Sequence, residues 1–195
     1  MTRLEELEKE ARSEHIPIMQ DSGMEFLLSY IRERPWIMRI LEAGTAVGWS
    51  AMNMAGIRPG ITIDTIEVNP EMAAHARKNI ADAGLDDRIF VYQMDADDFR
   101  TAKYYDLFFI DAAKSQYRRY LEHFLPNSYV GSVFIFDNLN FHGIVDDPSA
   151  SKNRSTIQMT RKILKFREDL LKDERFETEF HPEIGDGVAA AKRIR

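Results

Sequence analysis

Acidic side chains stand at the ends of five apolar segments of the 195-residue chain. Carboxylates that crowd together repel one another, so a set of this kind is suited to the binding of a cation. A hard divalent cation takes carboxylate and amide oxygens as ligands, and water completes its coordination. Asp111, Asp137 and Asn138 offer such oxygens, and we predict that they bind a divalent ion. The five segments end at Glu42, Glu67, Asp95, Asp111 and the pair Asp137-Asn138.

A strand, a tight turn and a helix are predicted over residues 37–50, which read Ile-Met-Arg-Ile-Leu-Glu-Ala-Gly-Thr-Ala-Val-Gly-Trp-Ser. This order is typical of the nucleotide-binding corner of a doubly wound α/β sheet. A dinucleotide fingerprint needs a glycine where Ala46 stands, which disfavours an NAD-dependent oxidoreductase. The pattern formed by Glu42, Gly44 and Gly48 resembles motif I of the class I S-adenosylmethionine (SAM) methyltransferases. An ordinary βα turn that contains glycine is the alternative.

Apolar segments alternate with helical ones along the rest of the chain, which predicts a mostly parallel sheet. The later strands are predicted over residues 61–67, 89–94, 105–111, 132–137, 176–180 and 187–194, and the helices between them over 71–83, 117–123 and 155–171. Glu67 ends the second strand roughly 20 residues after the glycines, a spacing that favours hydrogen bonds to ribose hydroxyls over a merely solvated strand end. The polar stretch 140–154 is a candidate substrate loop.

Two helices are predicted ahead of the sheet, in an N-terminal segment over residues 1–35. Ser22 and Glu25 form a capping-box pattern at the start of the second helix. This segment is expected to cover the ligand site, to form a dimer contact or only to pack on the core, and the sequence leaves these possibilities open.

The composition is that of an ordinary globular protein, with 44% hydrophobic and 30% charged residues, and the length predicts one domain over residues 1–195. The chain contains no cysteine, which excludes disulfides, a zinc ribbon and a thiol nucleophile. Its formal charge of -6 argues mildly against a protein that coats nucleic acid. Because there is no apolar signal-peptide core and no stretch that could span a bilayer, we expect a cytoplasmic protein without a membrane partner.

The segment Asp111-Ala-Ala-Lys114-Ser-Gln-Tyr117, followed by Asp137-Asn138 at the end of the next strand, resembles the metal-dependent O-methyltransferases. That family includes the catechol and caffeoyl-CoA O-methyltransferases, and the resemblance covers essentially the whole chain. It implies a Rossmann-like α/β fold of the class I SAM methyltransferases, with a mostly parallel seven-stranded sheet and helices on both faces, and it suggests a homodimer.

The resemblance also implies roles for individual residues. Asp111, Asp137 and Asn138 would hold magnesium or another divalent ion, and Lys114 would be the general base. The residues implied to bind SAM are Met19 at the entrance, Glu42, Gly44 and Ser50 near the methionine end, Glu67 at the ribose, Asp95 and Ala96 near the adenine, and Asp111.

Methyl transfer from the sulfonium of SAM is an in-line displacement, so the enzyme must present an aligned and deprotonated oxygen. The implied metal would coordinate that oxygen and lower the pKa of its hydroxyl group. Two adjacent oxygens that chelate the metal cannot rotate about it as a single oxygen can. The expected substrate is therefore planar, with a hydroxyl beside a second oxygen. A catechol and the base 5-hydroxyuridine both satisfy this condition.

Six basic residues and no acid lie between Ser151 and Arg167 in this acidic chain. The segment Ser151-Lys-Asn-Arg-Ser-Thr resembles the bacterial tRNA 5-hydroxyuridine methyltransferases, and Ile157, Leu164 and Leu171 predict a buried stripe that would turn the basic residues outward. A solvated helix face is the alternative. The six residues are Lys152, Arg154, Arg161, Lys162, Lys165 and Arg167, and Arg118 and Arg119 add positive charge elsewhere.

We therefore predict that Lys152, Arg154 and Arg161 bind phosphates of a tRNA anticodon loop, whose wobble 5-hydroxyuridine would be methylated to 5-methoxyuridine. A small-molecule enzyme of the catechol or caffeoyl-CoA type shares the same chemistry and is the main alternative. A non-catalytic nucleotide-binding module is a further alternative, but Lys114 beside a complete set of metal ligands argues against it.

Overall fold

Seven strands form one sheet in the computed structural model, which describes residues 3–147 and 151–195. Residues 148–150 of the predicted substrate loop lie outside the described residues. The strands are β1 (Arg39–Ala43), β2 (Thr62–Glu67), β3 (Ile89–Gln93), β4 (Leu107–Ile110), β5 (Val133–Phe136), β6 (Phe176–His181) and β7 (Val188–Arg193). Their order across the sheet is β3-β2-β1-β4-β5-β7-β6, and β7 runs antiparallel to both of its neighbours. The predicted mostly parallel seven-stranded sheet is confirmed, and the last two strands pair as an antiparallel hairpin.

The α-helices of the described part of the chain cover both faces of the sheet. They are α1 (Arg3–Ser13), α2 (Asp21–Arg32), α3 (Trp49–Gly56), α4 (Pro70–Asp82), α5 (Tyr117–Phe124) and α6 (Arg154–Leu171). The first four pack on one face, and α5 and α6 pack on the other. None of the helices in this part of the chain is long and apolar enough to cross a membrane.

Two apolar cores lie on opposite faces of the sheet because successive side chains of a strand point to opposite sides. In β4, Leu107 and Phe109 belong to the core under α1–α4, whereas Phe108 and Ile110 belong to the core under α5 and α6. All four side chains are buried. A strand covered on both faces reads as a continuous apolar run, which explains why β4 and β5 are recognisable in the sequence.

The N-terminal helices α1 and α2 belong to the core under α1–α4. Leu7 and Ala11 of α1 and Leu27 of α2 are buried there. The predicted capping box is wrong, since α2 begins at Asp21 and no side chain caps it. Ser22 Oγ instead accepts a hydrogen bond from Gly185 N at 2.9 Å. The start of α2 is therefore fixed to the turn between β6 and β7 and not to its own backbone.

The buried face of α6 also differs from the prediction. Its buried residues are Thr160, Ile163, Phe166 and Leu170, whereas Leu171 is 49% exposed. A strict seven-residue repeat such as 157, 164 and 171 drifts by about 20° per heptad around a straight α-helix. Ile157 and Leu164 are themselves only partly buried, so the predicted stripe runs along the edge of the buried face and its last member reaches solvent.

We expect Phe108→Ala to lower the free energy of unfolding by about 3–5 kcal/mol, because it leaves a cavity in the core under α5 and α6. The Phe108 ring stacks on Phe134 with centroids 4.2 Å apart and also contacts Phe124 and Tyr105. Urea denaturation measures the change. The matched control is Phe90→Ala on β3, where the ring is 41% exposed and the expected decrease is about 1 kcal/mol or less. Equal decreases in the two variants would contradict this description of the core.

Candidate active site

A cavity of about 630 Å³ opens at the carboxyl ends of the parallel strands. It lies where β1 has β2 on one side and β4 on the other, so that the strand order reverses there. Such a reversal leaves a crevice in which α/β proteins bind ligands. Ten of the predicted site residues line this cavity, namely Met19, Gly44, Ser50, Glu67, Asp95, Ala96, Asp111, Lys114, Asp137 and Asn138.

The turn between β1 and α3 forms one wall of the cavity. Gly44 and Gly48 have φ values of 104° and 86°, and Ala46 has a φ of 45°. A Cβ atom on Gly44 would lie 2.3 Å from the carbonyl oxygen of Asp111, which no side chain can occupy without moving the backbone. Glycine is required at this position both by its backbone conformation and by the close approach of the neighbouring strand.

Glu67 lies at the end of β2 and faces the cavity. Its Oε2 accepts a hydrogen bond from Ala46 N at 2.9 Å, and its Oε1 accepts one from Asn69 N at the same distance. Asn69 also caps α4 through its own side chain. The carboxylate is thus held by two backbone groups and keeps lone pairs for a ligand. Its predicted role at a ribose is consistent with this position and stays a prediction.

Glu42 does not reach the cavity, contrary to the prediction that it contacts the cofactor. The residue is fully buried, and its carboxylate accepts hydrogen bonds from Ser50 Oγ and Thr65 Oγ1, both at 2.5 Å. Burial raises the pKa of Glu42 to about 7, although these two hydroxyl groups act in the opposite direction. Glu42 lies behind the cavity wall and orients Ser50, which does line the cavity.

The four residues of the predicted catalytic centre lie together at the ends of β4 and β5. Lys114 is on a short 3₁₀ helix (Lys114–Gln116) just after β4. Its Nζ donates a hydrogen bond to Asn138 Oδ1 and lies 3.4 Å from Asp111 Oδ1. Asn138 N donates to Asp137 Oδ1 at 2.7 Å, and Asn138 has a left-handed φ of 57°. The turn after β5 thus presents the Asp137 carboxylate and the Asn138 amide oxygen to the same cavity as the Lys114 amine.

A divalent cation fits the chemistry of this group. Burial raises the pKa of Asp111, while the nearby Lys114 lowers it. Burial, followed by the charge of Asp111, raises the pKa of Asp137 to about 7. A cation between the two carboxylates would offset both effects. Among the described residues, no group of three or more acidic, histidine or cysteine side chains could hold a metal. The candidate is therefore this mixed set of two carboxylates and an amide, and its metal role stays a prediction.

The predicted phosphate contacts lie outside the cavity. Lys152, Arg154 and Arg161 are exposed, and with Lys162 they form no ion pair with any residue that the structure describes. Helix α6, which carries most of them, packs against the 3₁₀ helix of Lys114. The structure thus places this unpaired positive segment on an element next to the predicted catalytic centre.

Other members of the basic set are already engaged. Arg167 pairs with Asp146 and lies 4.9 Å over the ring of Phe180. Its side chain is only 13% exposed. Lys165 and Arg118 both pair with Asp169, and Arg119 pairs with Asp97. Two acids outside residues 151–167 thus pair with basic residues of that segment, and the stretch of uncompensated positive charge is shorter in the structure than the sequence suggests.

Several cavity residues were not predicted. Trp49, Tyr120 and His142 line the cavity, and Asp186 is buried beside His142. Tyr120 follows Tyr117 at helical spacing on α5, a pattern that indicates a core position and not a ligand contact. His142 lies in the polar stretch predicted to be a substrate loop, but nothing in that stretch distinguishes it from its neighbours.

Known proteins resemble this chain along nearly its whole length. A family model described as O-methyltransferase matches residues 1–194. The chain is 34% identical over 120 residues to a catechol O-methyltransferase of Niastella koreensis, and the match covers 58% of this chain and 54% of that protein. The chain therefore spans about half the length of this curated relative.

Among solved structures, a proposed caffeoyl-CoA O-methyltransferase from Staphylococcus aureus matches with a TM-score of 0.93 and 31% identity, covering 99% of this chain and 93% of that one. An O-methyltransferase from Bacillus cereus, solved in complex with SAH, matches with a TM-score of 0.82 and 27% identity, covering 98% and 90%. The predicted class I SAM methyltransferase fold is confirmed.

Glu42→Gln is expected to remove a pH dependence from the stability of the protein. The pKa of the buried carboxyl, about 7, lies above its ordinary value of 4.5. The folded state therefore binds this proton more tightly than the unfolded state. The ionisation of Glu42 should therefore contribute a fall of up to about 3 kcal/mol to the free energy of unfolding as the pH rises from 4.5 to 7, and the Gln variant should lack this contribution.

Urea denaturation of both proteins at pH 5 and pH 7.5, in the presence of a chelator, measures the difference. Glu168→Gln on the exposed side of α6 is the matched control and should follow the wild type at both pH values. A difference between wild type and Glu42→Gln that does not change with pH would refute the raised pKa.

Proposed function

Because the chain belongs to the O-methyltransferase family, we propose that it transfers the methyl group of SAM to one of two neighbouring oxygens on a planar substrate of the catechol or caffeoyl type. The observation that carries the proposal is the convergence of Lys114, the Asp111–Asp137–Asn138 group and the glycine turn on one cavity. The glycine turn, which would bind the cofactor, and Lys114, which would accept a proton, thus line the same cavity.

The proposed SAM site lies along the turn after β1 and the end of β2. SAM supplies a methyl group on a positively charged sulfur, together with an ammonium group and a ribose. Ser50 Oγ donates its proton to Glu42 and so offers lone pairs that suit the ammonium. Glu67 offers carboxylate lone pairs to the ribose hydroxyls. The adenine would lie near Asp95 and Ala96, with Met19 at the entrance. The SAH complex of the Bacillus cereus relative supports SAM as the cofactor.

Lys114 is placed to take the proton of the attacking hydroxyl. The oxygen–methyl bond forms as the sulfur–methyl bond breaks, S-adenosylhomocysteine leaves, and the hydroxyl proton passes to the lone pair of the neutral Lys114 amine. Asp111, Asp137 and Asn138 would hold a divalent ion, which, when bound, supplies the positive charge that favours ionisation of the substrate hydroxyl. The buried main chain around Asp137 keeps this arrangement rigid, because Tyr117 OH donates to Asp137 O at 2.7 Å.

The substrate class is supported by the close grouping of the catalytic centre and by the relatives. Lys114 Nζ is hydrogen-bonded to Asn138 Oδ1 and lies 3.4 Å from Asp111 Oδ1, so the proton acceptor and the oxygen ligands can engage two adjacent oxygens on a ring. The named relatives are catechol and caffeoyl-CoA enzymes, whose names describe such substrates. These comparisons favour the small-molecule alternative over the tRNA reaction that the sequence suggests.

The test of the proposed function is an assay with SAM, Mg²⁺ and a 3,4-dihydroxy aromatic acid, with the methylated product measured by chromatography. We expect turnover by the wild type and none in excess chelator. Asp137→Asn, which removes a ligand charge, and Lys114→Met, which removes the proton acceptor, should each lower kcat by about 10²-fold or more.

Both variants should bind SAM as tightly as the wild type in calorimetry, because Glu67 and the glycine turn are unchanged. Lys172→Met, an exposed lysine at the end of α6, is the matched control and should keep full activity. Turnover that survives chelation would contradict the metal assignment, and full activity of Lys114→Met would contradict the proton acceptor.

A tRNA substrate is a second candidate, supported by four basic residues that form no ion pair with the described part of the chain and lie on or next to a helix that packs against the 3₁₀ helix of Lys114, namely Lys152, Arg154, Arg161 and Lys162. A phosphate-bearing substrate needs such a surface, because the chain as a whole has a net charge of -6 and would otherwise repel it. A 5-hydroxyuridine flipped out of an anticodon loop would present its 5-hydroxyl beside a carbonyl oxygen. We also propose the homodimer that the resemblance suggests and the cytoplasmic location that the sequence analysis predicts.

Neutralising Lys152, Arg154 and Arg161 together to Gln separates the two substrates. If these residues bind phosphates, tRNA binding should weaken, and the slope of log affinity against log salt should fall by roughly 0.7–0.9 for each phosphate that the variant no longer binds. Turnover of the small catechol should hardly change. A control triple of Lys9, Lys78 and Lys172 to Gln carries the same charge change elsewhere. Equal effects of the two triples, or no binding of tRNA by the wild type, would eliminate the tRNA candidate.

A further inference from the structure

The loop that follows Asn138 has an unfavourable backbone conformation. Phe141 and His142 have φ values of 44° and 55°, in the left-handed region that side chains other than glycine rarely adopt. The loop is held there by the turn before β7. His142 N donates to Asp186 Oδ1 at 2.7 Å, and Asn140 N donates to Asp186 O at 2.8 Å. Two backbone bonds to one residue thus fix where the His142 side chain begins.

Asp186 has a second oxygen that is left without a donor. The residue is 6% exposed, and its Oδ2 is buried with no hydrogen-bond partner among the residues that the structure describes. A buried carboxylate oxygen without a donor is unfavourable. Nδ1 of His142 lies 3.7 Å from this oxygen, and a small rotation of the imidazole brings the two within hydrogen-bond distance.

This neighbour determines which nitrogen of the neutral imidazole carries the proton. A carboxylate can only accept, so Nδ1 must be the donor, and Nε2 is then an acceptor. The His142 side chain is 70% exposed and lines the cavity together with Lys114 and Asn138. The free acceptor therefore belongs to a side chain of the same cavity as the catalytic centre.

We propose that Asp186 holds His142 as the Nδ1–H tautomer, so that Nε2 accepts a hydrogen bond from the substrate hydroxyl that is not methylated and thereby selects which of two neighbouring oxygens reacts. The inference rests on the proposed function. It favours a catechol, whose second oxygen carries a hydrogen to donate. It disfavours 5-hydroxyuridine, whose neighbouring oxygen is a carbonyl without one. His142 is a specificity-determining residue in this scheme, and Asp186 is a positioning residue.

The tautomer can be measured without any substrate. In ¹⁵N-labelled protein at pH 8, long-range ¹H–¹⁵N correlation spectra distinguish a protonated from an unprotonated imidazole nitrogen, and the His142 signals are those that His142→Asn removes. We expect the proton on Nδ1. In Asp186→Asn the new amide can donate to Nδ1, and the proton should move to Nε2. An Nε2–H tautomer in the wild type would overturn the inference.

The selection of the oxygen is measured by the ratio of 3-O- to 4-O-methylated products from 3,4-dihydroxybenzoate. His142→Asn suits this test because Asn tolerates a left-handed backbone and can still donate to Asp186, but has no atom in place of Nε2. We expect the unequal ratio of the wild type to move toward one by about fivefold, as for the removal of one neutral hydrogen bond. Asp186→Asn should shift the ratio in the same direction.

The matched control is His75→Asn, on the exposed face of α4, which should leave the ratio unchanged. An unchanged ratio in His142→Asn, with catechol still methylated, would overturn this inference and leave the proposed function standing. Absence of methylation of any catechol by the wild type would instead overturn the proposed function and the recognition step with it.

Discussion

The site depends on a contact between two stretches of main chain. The turn after β1 and the segment after β4 approach so closely that a Cβ on Gly44 would lie 2.3 Å from the carbonyl oxygen of Asp111. Asp111 N in turn donates to Ala43 O at 2.9 Å. Because Lys114 follows Asp111 by three residues, the candidate cofactor wall and the candidate catalytic centre have a fixed separation. That separation is set by peptide groups and not by side chains.

Two acidic side chains, Glu42 and Asp137, are buried near this contact. Burial raises the pKa values of Glu42 and Asp137 to about 7, so each of these carboxyl groups loses more by desolvation than it gains from its hydrogen bonds. Buried acids of this kind oppose folding. Proteins retain local conflicts between stability and composition mainly where a ligand resolves them. For Asp137, which lines the cavity, a bound cation would offset this cost, whereas Glu42 lies behind the cavity wall and is compensated only by its two hydroxyl partners.

The sequence is sufficient for features that depend on neighbouring residues along the chain. Strands such as β4 are legible because both faces are covered, and the residues after them fall at the cavity because all parallel strands end at one edge. The features that sequence reasoning misses involve partners far apart in the chain. Ser22 accepts a hydrogen bond from a backbone group 163 residues away instead of capping its helix. His142 donates one to Asp186, which lies 44 residues later in the chain. Arg167 looks free until the fold brings Asp146 to it. A single sequence without its fold contains no signal for such pairs.

The turn between β6 and β7 supports the site from several directions at once. Gly185 N donates to Ser22 Oγ, Asp186 Oδ1 accepts from His142 N, and Gly187 O accepts from Leu139 N. These residues come after every other part of the site in the order of synthesis. A domain generally folds as a unit, so a nascent chain that still lacks this turn cannot complete the site. Neither the start of α2 nor the His142 loop can be fixed until the ribosome has added the turn.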